Sequence, residues 1–94
     1  MPYKSRTTAR FRKALKSLSP EIRQLAREAY KLFLSNPNHT SLDFKPVHPS
    51  KPIYSARVSL DVRAVGIRDK ADIVWFWIGF HNAYDRLVAE LKKR

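Results

Sequence analysis

From Tyr54 to Ala64 apolar and polar side chains alternate without interruption: Tyr54, Ala56, Val58, Leu60, Val62 and Ala64 on one side, Ser55, Arg57, Ser59, Asp61 and Arg63 on the other. A period of two belongs to extended backbone, where successive side chains point to opposite faces, so this stretch predicts strand with one core face and one polar face. It is too long for one strand of a small domain. A tight turn near Ser59-Leu60-Asp61 splits it into a hairpin, and Arg68-Asp69-Lys70-Ala71-Asp72 makes a second turn into Ile73–Phe80. That last segment is apolar on both faces, as a central strand covered by helices should be.

The flanks read as helix. Thr8 is a plausible cap, followed by Phe11, Leu15 and Leu18 at helical spacing with Arg10, Arg12, Lys13 and Lys16 around the rest of the cylinder. Ser19-Pro20-Glu21 then gives an N-cap, a first-turn proline and an acid near the positive helix end. Ile22, Leu25, Ala26, Ala29, Leu32 and Phe33 carry the second helix to Asn36-Pro37, so residues 8–34 predict an αα-hairpin. Residues 36–52 are proline-rich and predict a loop with at most a short strand, anchored by Leu42, Phe44 and Val47. Tyr84, Leu87, Val88 and Leu91 predict a short closing helix. The order gives an α+β fold: an N-terminal αα-hairpin packed on a small antiparallel sheet, with a short C-terminal helix, all in a single domain spanning 1–94.

Charge narrows the partners. The chain carries 19 Lys and Arg against 8 Asp and Glu, a formal +11, and residues 1–20 hold six bases and no acid. Such a field favours a polyanion. Cysteine is absent, which removes disulfides, thiolate metal sites and cysteine nucleophiles, and no apolar run approaches the ~20 residues that span a bilayer. The cytoplasm suits both observations, and no membrane partner is expected. The three histidines show no metal-ligand spacing, and the two glycines form no phosphate cradle. Metal and cofactor are therefore expected to be none.

Phosphate recognition needs guanidinium forks or ammonium groups on a rigid base. Arg57 and Arg63 share a strand face; they read either as such a pair or as a solvated sheet face partnered by Asp61. His81 and Tyr84, just past the last strand, face one side if a helix begins there, and both can exchange protons. They read equally as a helix cap and a core aromatic. Arg10 and Lys13 offer a basic first helix. His39 and His48 lie in the loop, where surface histidines are common.

In order and spacing, Phe11…Leu15…Leu18-Ser19-Pro20-Glu21-Ile22, Asn36-Pro37, Ser41-Leu42-Asp43-Phe44-Lys45, Tyr54-Ser55-Ala56-Arg57-Val58, Val62-Arg63-Ala64-Val65 and Trp77-Ile78-Gly79-Phe80-His81…Tyr84 resemble the RelE/ParE toxin superfamily. The resemblance implies a toxin of a type II toxin–antitoxin system whose RelE-like branch cleaves mRNA on the ribosome without metal. By position it makes Arg57, His81 and Tyr84 catalytic, sets Lys45 as an RNA-binding base near the phosphate and leaves Arg63 structural or RNA-contacting; the charge of the first helix adds Arg10 and Lys13 as RNA-binding. Arg57 would hold the phosphate and His81 would donate a proton. The partners it implies are a cognate antitoxin, the ribosome and mRNA. Two departures stand out: Pro46 follows Lys45 where relatives often have a second base, and no glutamate lies near the hairpin to accept a proton. His48 is a remote substitute. A ParE-like, non-enzymatic inhibitor of DNA gyrase and a plain nucleic-acid-binding module are the alternatives.

Overall fold

The computed structural model describes residues 3–93. Five strands form one sheet in the order β1-β5-β4-β3-β2: β1 (Lys4–Thr7), β2 (Lys45–Pro46), β3 (Ile53–Arg57), β4 (Val62–Asp69) and β5 (Asp72–Phe80). Three helices complete it: α1 (Ala9–Lys16), α2 (Pro20–Ser35) and α3 (His81–Lys92). Both hairpin turns lie where they are expected, near Ser59-Leu60-Asp61 and within Arg68–Asp72, and β3, β4 and β5 pair antiparallel.

The helix signals act as their chemistry requires. Thr8 accepts a hydrogen bond from the Phe11 amide, Ser19 accepts from Ile22, and Pro20 occupies the first turn of α2. Each cap satisfies a donor that has no partner within its helix. Between α2 and β3 the chain forms one 3₁₀ turn, Thr40–Leu42, which buries Leu42, and then the two-residue strand β2.

The sheet is mixed, not purely antiparallel. Lys4–Thr7 pairs in parallel with Asp72–Trp75 along the outer edge of β5, and Trp75 Nε1 donates to Ser5 Oγ at 3.0 Å. Lys-Ser-Arg-Thr has no apolar face of its own. Its partner is a strand almost seventy residues away, so its extended form is imposed by β5 and not by local pattern.

Two cores sandwich the sheet. On one face Phe11, Phe33, Leu42, Ala56, Val62, Ala64, Ile73, Trp75 and Ile78 pack beneath α1 and α2. Aromatic rings extend this layer: Phe33 stacks on Tyr3 and meets Phe44 and Trp75 edge-on, and Phe44 stacks on Tyr54. On the other face Ile53, Val65 and Tyr84 form a smaller core with Phe76, Trp77, Leu87, Val88 and Leu91, so the apolar stripe of α3 is spent on the sheet. A bulge opposite Val65 and Gly66 sets Phe76 and Trp77 together against this second core.

Two expectations from the alternation need correction. Leu60, assigned to the core face, is 90% exposed, because it sits at the hairpin tip beyond the last paired residue. The Ser55/Arg63 face is not solvated: α3 covers it, leaving Ser55 fully buried and Arg63 at 8%. Alternation records side-chain polarity but not the helix that arrives from elsewhere in the chain.

Candidate functional site

At the turn end of the β3–β4 hairpin, Arg57 and Arg63 face each other across the strand pair, and Gly79 lies opposite Arg63 on β5. Their side chains converge with Lys45, from β2, on a single carboxylate. Asp43 Oδ2 lies 3.2 Å from Arg63 Nη1, 3.3 Å from Lys45 Nζ and 3.8 Å from Arg57 Nη2. The partner acid is therefore Asp43 and not Asp61.

The backbone fixes that carboxylate. Asp43 ends the 3₁₀ turn in the left-handed region, at φ 43° and ψ 46°, and its amide donates to the Thr40 carbonyl. Aspartate tolerates this conformation better than most residues. Partial desolvation pushes its carboxyl up, but the hydrogen bond and charge of Lys45, joined by those of Arg63, outweigh it and hold the group below its ordinary range.

The three cations differ in freedom. Arg63 is locked: Nη2 donates to the Asp43 carbonyl at 3.0 Å and to Ser55 Oγ at 3.1 Å, and the guanidinium lies 5.2 Å from the centre of the Tyr84 ring. Its Nε is buried with no acceptor among the described residues. Arg57 and Lys45 keep 42% and 52% of their side chains exposed, so their head groups are open to a ligand.

His81 opens α3 two residues beyond Gly79, with its amide bonded to the Asp61 carbonyl and most of its ring in solvent. Nε2 lies 3.3 Å from Asp85 Oδ2, one helical turn on. His81 and Tyr84 do not share a side. The Tyr84 hydroxyl is buried and donates to Ser55 Oγ at 3.0 Å, which makes it part of the packing around Arg63. Strand spacing puts the Arg57–Arg63–Gly79 row at roughly 10 Å from end to end, within reach of long side chains converging on one ligand.

Arg10 and Lys13 stand apart. They lie on the exposed side of α1, which packs on the face of the sheet opposite Arg63. His48 is fully engaged: Nδ1 accepts from the amides of Ser50 and Lys51, so the ring proton sits on Nε2, which donates to the Leu91 carbonyl near the end of α3. That geometry ties the loop to the helix and leaves no nitrogen free for a substrate. His39 Nδ1 accepts from the Ser41 amide and caps the 3₁₀ turn.

Sequence reasoning missed Asp43 and Asp85. The spacing of His81 and Asp85 was a readable signal, since residues four apart are neighbours on a helix. Nothing in the sequence marked Asp43 as the acid on which three distant cations meet.

A groove of about 370 Å³ runs between α1, α2 and the sheet, floored by Phe11, Leu15, Ala56 and Ile78. Arg27, Lys31 and Arg57 line it, and among the described residues no acid does. No helix is long and apolar enough to cross a membrane, and no group of metal-ligating side chains is present among the described residues.

No protein-family model matches the chain, and no curated protein matches its sequence. Solved structures do match. YafQ from E. coli strain BL21(DE3) superposes with a TM-score of 0.70 at 16% identity, covering 87% of this chain and 97% of that one. The archaeal RelE–RelB complex from Pyrococcus horikoshii OT3 gives 0.68 at 19% identity, with 85% and 96% covered. The toxin–antitoxin complex RelBE2 from Mycobacterium tuberculosis gives 0.60 at 23% identity, with 86% and 100% covered. The chain thus has the α+β fold of RelE-like toxins along nearly their whole length.

Proposed function

From a chain with the fold of RelE-like toxins, we propose a toxin that cleaves mRNA on the ribosome and is neutralised by a separately encoded antitoxin. The observation that carries the reading is the cluster of Lys45, Arg57 and Arg63 around one anionic oxygen, with His81 two residues past the same row.

Cleavage begins when a ribose 2′-hydroxyl attacks the adjacent phosphorus, giving its proton to the solvent that bathes this exposed end of the sheet. The phosphorane gathers negative charge, which a fixed guanidinium stabilises. Arg57 supplies it from a strand, with Lys45 beside it and the buried Arg63 holding the arrangement from below. The 5′-oxygen then leaves with a proton from His81, whose ring is exposed and oriented by Asp85. A 2′,3′-cyclic phosphate and a 5′-hydroxyl result. Tyr84 assists indirectly, through Ser55 and Arg63.

The antitoxin follows from the groove. An apolar floor rimmed by Arg27, Lys31 and Arg57 complements an amphipathic helix with acidic flanks. The resemblance to toxins solved with their antitoxins supports that partner. Induction in a host cell, followed by primer extension on a reporter mRNA, tests the reading. New 5′ ends inside codons, suppressed by co-expression of an acidic protein from the adjacent reading frame, are expected; intact mRNA in arrested cells contradicts the enzyme.

A further inference from the structure

We propose that Asp43 is a built-in substitute for the substrate phosphate, and that an incoming phosphodiester takes Lys45 and Arg57 from it while Arg63 keeps it in place. This rests on the reading of the cluster as the phosphate site.

Without an acid, three cations at one point would repel one another and splay. Asp43 gathers them: one oxygen receives all three within 3.8 Å, as one phosphate oxygen would. The contacts are graded. Arg63 is bound to Asp43 through both its carboxylate and its carbonyl, and it is also bonded to Ser55, so it cannot follow a ligand outward. Arg57 has the longest contact and, like Lys45, an exposed head group. When a phosphate arrives, these two rotate toward it at little cost.

Asp43 itself cannot withdraw, because its backbone is pinned at the end of the 3₁₀ turn. A fixed negative charge beside the bound phosphate lowers affinity, while the same charge holds the receiving cations in position beforehand. Asp43 is therefore a positioning residue that exchanges affinity for pre-alignment and helps the product leave.

The test is the affinity of a fluorescein-labelled single-stranded RNA oligonucleotide, measured by anisotropy across a salt series, for the parent and for D43N, D69N and R57A. Asp69 lies at the far end of the β4–β5 hairpin and controls for net charge. D43N is expected to bind at least about fivefold tighter, the effect of one unit charge at roughly 4 Å in water. Its plot of log K against log salt should steepen by about 0.7, the contribution of one further phosphate contact on a single strand. D69N should change neither quantity as much. A purely structural Asp43 would leave the salt slope unmoved. Should D43N not fold because Arg63 loses its counter-charge, the comparison of R63M with R63M/D43N carries the same expectation. D43N binding no tighter than D69N, with R57A weakened, overturns the exchange and leaves the site standing. R57A binding like the parent removes the phosphate site and the exchange together.

Discussion

Arg63 and Asp43 hold each other twice, through a 3.2 Å ion pair and a 3.0 Å hydrogen bond from the guanidinium to the Asp43 carbonyl. The arginine is buried and the acid is not, so the pair costs less to desolvate than a fully buried one. Removing one partner of a buried pair costs about 3–5 kcal/mol. Asp43 would keep Lys45, Arg57 and some water, so Arg63→Ala should cost about 2 kcal/mol, chiefly through lost packing on Tyr84 and Ser55. Arg63→Met, which refills the volume, should cost less. Urea unfolding of both variants checks this, and equal losses would argue against the packing account.

Acid should release the same contact. A carboxyl whose folded value lies below its unfolded one contributes stability that is fully present above the unfolded value. That stability is lost as pH falls through the lower, folded value. Stability should therefore drop as pH falls below the ordinary aspartate range, and D43N should lack this part of the loss. Unfolding midpoints measured from about pH 6 to about pH 2 test it. Parallel curves would show that the Asp43 carboxylate contributes nothing in the folded state.

Tyr84→Phe keeps the ring and deletes only the buried hydroxyl that donates to Ser55. It should cost about 1 kcal/mol of stability. Cleavage should fall far less than the about 10²–10⁴-fold expected for a proton-transfer group. A loss of that size in a folded variant would make the tyrosine a direct participant.

Gly66 is buried at the bulge, where an added Cβ would lie 2.9 Å from Trp75 Cε3 and 3.0 Å from the Val74 carbonyl oxygen. A backbone carbonyl in a central strand cannot yield as a side-chain end can. Gly66→Ala should cost about 1–3 kcal/mol, readable as a lower thermal midpoint. An unchanged midpoint would mean that the bulge relaxes freely.

Most of this architecture was legible because it is encoded locally. Thr8 and Ser19 cap helices through neighbours three residues away, Pro20 opens the first turn beside its cap, and the 54–64 alternation carries its own period. What was hidden depends on long-range partners. Strand β1 exists because β5 offers an edge, Ser55 and Arg63 are buried because α3 returns over them, and Leu60 is exposed because pairing ends before it. Of the site residues named from sequence, the fold gathers Lys45, Arg57 and Arg63 and sets His81 near the same row. It sends Arg10 and Lys13 to the layer on the other face. Asp43 was unreadable because its role is set by cations arriving from three separate strands.

The central claim is that Arg57 and His81 cleave RNA. Purified protein on ribosomes programmed with a defined mRNA, followed by primer extension, tests it most directly, with circular dichroism confirming that each variant folds. The parent should cut within the codon in the A site, and Arg57→Ala and His81→Ala should each lower the rate by about 10²–10⁴-fold. Folded variants that cut like the parent would contradict the assignment, as would a parent that leaves mRNA intact while blocking gyrase supercoiling.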